Sequence, residues 1–180
     1  MKTYQAPKYE NIVQINLNID AEYMLPIAEK LKRNPYVHKD GKVVEEYQFG
    51  KYMDKEIAGF IECMPFLDHC KYTTSFVYLK ENSELDWHTD KGTKCASIWG
   101  LKNWQTSCTY FLPKGHEFGN RHDHVRKYVY KDYIMDTTVD HKVNVQAGEK
   151  IIWKISIKDR SFDWLTMNWA KCYNGFKWQQ

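Results

Sequence analysis

Much is scarce or missing in this chain of 180 residues, and each absence removes a class of protein. No apolar run approaches the roughly 18 residues needed to cross a membrane, and residues 1–10 do not have the pattern of a signal peptide. The five cysteines, Cys63, Cys70, Cys95, Cys108 and Cys172, are odd in number and form no C-x-x-C pair. They are therefore not expected to build a disulfide framework or a zinc knuckle, and a reducing, cytoplasmic setting fits. Most are expected to be small buried fillers. The formal net charge is only +3, with no block of five or six like charges, so nothing argues for nucleic acid. G-x-S-x-G, the P-loop and the Gly-rich dinucleotide fingerprint are all missing, which leaves hydrolase, nucleotide triphosphatase and Rossmann readings without support. There is no internal repeat, low-complexity tract or interdomain linker, so residues 1–180 are read as a single domain.

What is present is an ordinary share of apolar residues with many aromatics among them, enough to bury a core. Asn11–Leu17 largely alternates aliphatic with polar residues and reads as a strand. Asp20 is a good N-cap for a helix over Ala21–Arg33, with Tyr23, Met24, Ile27, Ala28 and Leu31 on one stripe and Pro26 early in it. Residues 36–50 are polar, with a turn at Asp40-Gly41, and read as a hairpin or an exposed loop. Met53–Met64 is again helical in spacing, with Pro65 just beyond its end.

From Tyr72 onward the period is mostly two, and β-branched and aromatic residues dominate. Strands are expected at Thr73–Lys80, Lys94–Leu101, Thr106–Leu112, Tyr128–Met135, Val143–Val145, Lys150–Ile157 and Leu165–Ala170. Helices followed by a run of short strands point to a mainly β sandwich or barrel, with the helices packed on one sheet. Lys114–Lys127 is the longest irregular polar piece and reads as a surface loop or lid. Its His116, His122 and His124 are either a second metal site or solvated loop histidines. Trp99, Trp104, Tyr110 and Trp153 read as core.

The chemistry is concentrated in Asp86-Trp87-His88-Thr89-Asp90, between two of these strands. In an extended chain residues i and i+2 share a face, so His88 and Asp90 can aim a nitrogen and a carboxylate oxygen at one point, with Trp87 turned away as packing. One more ligand would complete the two-His, one-carboxylate face used by non-haem Fe(II) oxygenases. His141, ahead of a short late strand, is the best candidate; the alternative is a surface histidine in a turn. In Lys150–Ile157, one face carries Ile151, Trp153, Ile155 and Ile157 and wants burial against helices. The other carries Lys150, Ile152, Lys154 and Ser156. If that face looks into a barrel, Lys150 needs solvent or an acid, because an unpaired buried ammonium is costly. A cosubstrate bearing a carboxylate would meet the need; an ordinary wet face is the alternative. Lys154 is either a second carboxylate partner or a solvated lysine near the open end.

These residues resemble a known family, the Fe(II)- and 2-oxoglutarate-dependent dioxygenases, and within it the prolyl-hydroxylase-like branch. The family has H-x-D, a distal His in His-x-Val, and a basic residue nine or ten positions later. Here those match His88, Asp90, His141-Lys142-Val143 and Lys150, nine positions after His141. Tyr78 stands ten positions before His88, where the branch often has a tyrosine on the cosubstrate. Cys95–Leu101 resembles the strand that follows the family's H-x-D, and the likeness covers about residues 72–157. The basic residue is usually arginine in this branch, which grips a carboxylate through two parallel bonds, whereas lysine is a point charge. Some members of the wider superfamily use lysine.

The resemblance implies a double-stranded β-helix (jelly roll) with the N-terminal helices on its major sheet. It implies iron on His88, Asp90 and His141, and 2-oxoglutarate with its distal carboxylate on Lys150 and Tyr78. The activity implied is hydroxylation of a small-molecule, peptide or protein substrate, with a prolyl or other amino-acid side chain as the family-level guess. A non-enzymatic jelly-roll binding module, or a cupin-like metal enzyme that does not use 2-oxoglutarate, are the alternatives. Oligomeric state is not readable from the sequence.

Overall fold

A computed structural model describes residues 11–15, 19–32, 44–50, 54–112 and 125–173 of the chain. The Asp40-Gly41 turn and the loop histidines His116, His122 and His124 lie outside the described residues. Among the described residues, ten strands, all paired antiparallel, form two sheets. The strands are β1 (Ile12–Gln14), β2 (Val44–Phe49), β3 (Tyr72–Leu79), β4 (Ser83–His88), β5 (Cys95–Lys102), β6 (Ser107–Phe111), β7 (Arg126–Tyr128), β8 (Asp132–Asp136), β9 (His141–Val145) and β10 (Lys150–Ile157). One sheet has the order β1-β8-β5-β10-β3-β2, the other β4-β9-β6-β7. The helices are α1 (Ala21–Lys32), α2 (Lys55–Glu62) and α3 (Phe162–Cys172). Among the described residues no helix is long and apolar enough to cross a membrane.

The alternation along β10 sorts the core into two layers. Ile151, Trp153, Ile155 and Ile157 join a cluster with Met24 and Ala28 of α1, Ile57 and Ile61 of α2, and Leu165 and Trp169 of α3. Ile152 belongs instead to the layer between the sheets, with Val77, Leu79, Ile98, Tyr133 and Met135 from the larger sheet and Phe111 and Val145 from the smaller. Successive side chains of a strand must point to opposite faces, so the larger sheet carries helices on one side and the smaller sheet on the other.

Local signals place the helices. Asp20 Oδ1 accepts from the backbone N–H groups of Glu22 (2.9 Å) and Tyr23 (3.2 Å), and Asp54 Oδ1 accepts from Glu56 N (2.9 Å) and Ile57 N (3.3 Å). Pro26 sits inside α1 without ending it.

Several expected elements are corrected. Leu165–Ala170 is not a strand but the middle of α3. Ser161 caps that helix by accepting from Trp164 N at 3.2 Å, and Phe162, Leu165, Thr166 and Trp169 form one buried face at helical spacing. The run 128–135 is split: β7 ends in the smaller sheet at Tyr128 and β8 starts in the larger at Asp132. Residues 44–49 of the stretch read as a hairpin or loop are the edge strand β2, paired with β3. Ser83–His88 was not foreseen as a strand, and β9 begins at His141 itself. All five cysteines are free, but only Cys95 and Cys108 are buried; Cys63 and Cys172 are exposed and Cys70 lies between.

Trp169 anchors α3. Its ring is 1% exposed, its Nε1 donates to Ser97 Oγ at 3.0 Å, and its centroid lies 6.0 Å from that of Trp99. Trp169→Ala leaves a cavity and an unpaired Ser97, so chemical denaturation should show a loss of about 3–5 kcal/mol. A loss under about 1 kcal/mol would contradict the helix's role as a cover of the sheet.

Candidate metal centre

Antiparallel pairing of β4 with β9 sets His88 opposite His141. The ladder is irregular between Leu85 and His88: three steps along β4 match two along β9, from Val143 to His141. This is a β-bulge, and it changes which face His88 occupies. Leu85 lines the cavity between the sheets, so in a regular strand residue 88, an odd number of steps on, would point outward. The extra residue turns His88 inward beside Leu85. Two residues past His88, Asp90 is pinned by its backbone N–H, which donates to Thr137 O at 3.0 Å.

One ligand atom each of His88, Asp90 and His141 lies within 4.8 Å of the others. His88 Nε2 is 3.6 Å from Asp90 Oδ1, and the two imidazole centroids are 4.3 Å apart. His88 Nδ1 lies 2.6 Å from Asp86 O, and His141 Nδ1 lies 2.9 Å from Val139 O. A carbonyl can only accept, so each ring carries a proton on Nδ1, which leaves Nε2 as the nitrogen that can turn to the common point. Burial, with His88 close by, pushes His141 down to about 4, which keeps it neutral and able to ligate at ordinary pH. Burial alone would raise the Asp90 carboxyl, but Lys154 and the two imidazoles hold it at about 2. Lys154 Nζ sits 2.7 Å from Asp90 Oδ2. Two imidazole nitrogens and one ionised oxygen are a donor set that fits Fe(II) or a similar divalent ion.

The triad opens into a cavity of about 350 Å³, whose lining also includes Val77, Leu79, Ile98, Met135, Tyr133 and Ile152. Lys150 lines it too, on the same face of β10 as Lys154 and four residues, roughly 13 Å, along the strand. Lys150 is 3% exposed, and no carboxylate among the described residues pairs with it. Burial pulls its ammonium down to about 8.

Tyr78 does not belong to this group, which corrects its assignment to the cosubstrate. The β10–β3 register sets Tyr78 against Ile151, while Lys150 stands against Leu79. Tyr78 therefore lies in the helix-side layer, where its hydroxyl donates to Ala28 O and its ring meets Tyr47 edge-on at 5.1 Å. Three cavity residues were missed or misjudged. Tyr133 is buried there with its hydroxyl 3.5 Å from Thr109 Oγ1. Glu46 reaches in from β2 and accepts from Ser75 Oγ at 2.7 Å. Lys154 is mostly buried and paired instead of solvated. Alternation within β8 and β2 was the available signal for the first two; nothing local could pair Lys154 with Asp90.

No protein-family model matches the sequence, and no curated protein is similar to it. Solved structures are similar in fold. A prolyl-4-hydroxylase of Pseudomonas putida superposes with a TM-score of 0.62 at 8% identity, over 84% of this chain and 94% of that one. SnoN, a non-heme alpha ketoglutarate dependent epimerase from nogalamycin biosynthesis, gives 0.57 at 13% identity, over 82% and 76%. An oxidoreductase of the 2OG-Fe(II) oxygenase family from Burkholderia pseudomallei gives 0.55 at 11%, over 83% and 84%. The overall fold, with its two antiparallel sheets, is thus similar to that of these enzymes.

The lone ammonium has a measurable cost. The folded pKa of Lys150 lies below its ordinary 10.5, so between pH 8 and 10.5 the unfolded chain binds more protons than the folded one. The penalty is then full below pH 8 and fades as pH rises through that window. Lys150→Met should stabilise the metal-free protein at pH 7 by on the order of 2 kcal/mol. The gain should shrink towards pH 10, as read by thermal melts across the range. A destabilised variant at pH 7 would show that Lys150 has a partner.

Proposed function

We propose that this protein is a non-haem Fe(II)- and 2-oxoglutarate-dependent oxygenase. The observation that carries the reading is the shared cavity: a three-donor face and, further along the same wall, a buried lysine with no acid among the described residues paired to it. A fold shared with oxygenases supports it.

In this reading His88 Nε2, Asp90 Oδ1 and His141 Nε2 hold the iron. When bound, the ion and the 2-oxo acid would together reduce and activate dioxygen, which is the oxidant for attack on a C–H bond. The chain's own residues do the rest. The carbonyls of Asp86 and Val139 fix both rings so that neither can turn its protonated nitrogen to the ion. Lys150 takes the distal carboxylate of 2-oxoglutarate, which supplies the missing counter-charge. Tyr133 lines the same cavity, with its hydroxyl 3.5 Å from Thr109 Oγ1. The apolar walls from Val77, Leu79, Ile98 and Ile152 exclude water and strengthen every charge contact inside. A prolyl or other amino-acid side chain of a peptide or protein is the substrate class taken first. It is supported by the likeness in fold to the Pseudomonas prolyl-4-hydroxylase. No membrane or nucleic-acid partner enters this reading.

Anaerobic addition of Fe(II) and 2-oxoglutarate to the purified protein should produce a weak visible charge-transfer band, and His141→Ala or Asp90→Ala should abolish it. A binding module would give no band, and a metal enzyme of another kind would bind iron without responding to 2-oxoglutarate. Lys150→Ala should leave iron binding intact and weaken 2-oxoglutarate by about 2–5 kcal/mol, a factor of roughly 30 or more. Unchanged 2-oxoglutarate affinity in that variant would remove Lys150 from the cosubstrate site.

A further inference from the structure

We propose that Lys154 is a positioning residue that restricts Asp90 to one metal-facing oxygen and so sets how many positions a bound ion keeps for other ligands. This rests on the oxygenase reading above and goes beyond it.

The geometry divides the two oxygens of Asp90. Oδ2 is taken by Lys154 Nζ at 2.7 Å, while Oδ1 lies on the side of His88 Nε2, at 3.6 Å. Neither partner is free to wander. The Asp90 backbone is tied to Thr137 O, and Lys154 sits in the middle of β10, between Ile98 of β5 and Ser75 of β3. The pair is mostly buried, with side-chain exposures of 15% for Lys154 and 11% for Asp90. Ser75 donates its hydroxyl to Glu46 at 2.7 Å.

Coordination arithmetic gives the restriction a purpose. Three protein donors on a six-coordinate ion leave three positions, of which a chelating 2-oxo acid takes two and one stays open. Were Asp90 to chelate through both oxygens, only two would remain. The electrostatics run the other way: a fixed ammonium beside a divalent cation repels it and weakens its binding. Lys154 thus trades metal affinity for open positions, and the two effects can be measured apart.

The test uses Co(II), titrated into the metal-free protein by competition with a chromophoric chelator, followed by 2-oxoglutarate titration of the cobalt-loaded protein. Lys154→Met is expected to bind Co(II) at least tenfold more tightly than wild type and 2-oxoglutarate at least tenfold more weakly. The cobalt visible spectrum should change in shape. Lys154→Arg, which keeps the charge, should return both constants towards wild type. Should Lys154→Met fail to fold, Lys154→Gln makes the same comparison. Cobalt binding that is unchanged or weaker in the neutral variant overturns the proposal, as does tighter cobalt binding with 2-oxoglutarate affinity unaltered. Wild-type protein that takes up no cobalt at all overturns the oxygenase reading itself, a separate result from either of these.

Discussion

The bulge in the β4–β9 ladder is the constraint on which the site depends. Without the extra residue between Leu85 and His88, the inward face of β4 would continue through Trp87 and His88 would point out of the cavity, away from His141. Strand parity allows no compromise, since a one-residue shift exchanges the two faces completely. With the bulge, two rings from neighbouring strands come to 4.3 Å, and the carboxylate two residues further on closes the triangle. The outer side of the same segment carries Trp87, whose ring lies 5.8 Å from Lys142 Nζ.

Around that triangle the sheets divide the labour. The larger sheet is stiffened from behind by three helices and a buried layer of tryptophans, with Trp99 and Trp153 stacked at 4.6 Å. Its inner face can therefore carry charge at a cost that the packing behind it absorbs. Lys154 faces its acid directly. Lys150, four residues away on the same strand, faces none among the described residues, and an ammonium left alone in a buried site is unfavourable enough that an incoming carboxylate has a large margin to gain. The cavity thus holds one ion pair, Lys154 with Asp90, and one buried ammonium with no acid partner among the described residues.

Much of this was legible in the sequence, and the failures have physical reasons. The H-x-D spacing, the late histidine and the two faces of Lys150–Ile157 could be read directly, because strand alternation is a strict rule. The same rule, applied to register, removes Tyr78: Lys150 pairs with Leu79, so a tyrosine one residue away must lie on the other face. That register is set by long-range pairing and cannot be counted from a distance in sequence. The bulge was hidden for a similar reason, since an unpaired residue leaves no mark in the apolar pattern. In α3 the aromatic and β-branched content suggested a strand, while the helical spacing of Phe162, Leu165, Thr166 and Trp169 and the Ser161 cap carried the correct answer. The Lys154–Asp90 pair spans 64 residues and only the fold brings it together.

An anomalous-difference map at the iron edge, from crystals grown anaerobically with Fe(II) and 2-oxoglutarate, reaches the centre of the account most directly. The account predicts a single strong peak within about 2.0–2.2 Å of His88 Nε2, Asp90 Oδ1 and His141 Nε2, with the distal carboxylate of 2-oxoglutarate on Lys150. Crystals that hold the cosubstrate but show no peak between the three side chains, or a carboxylate bound away from Lys150, would contradict it.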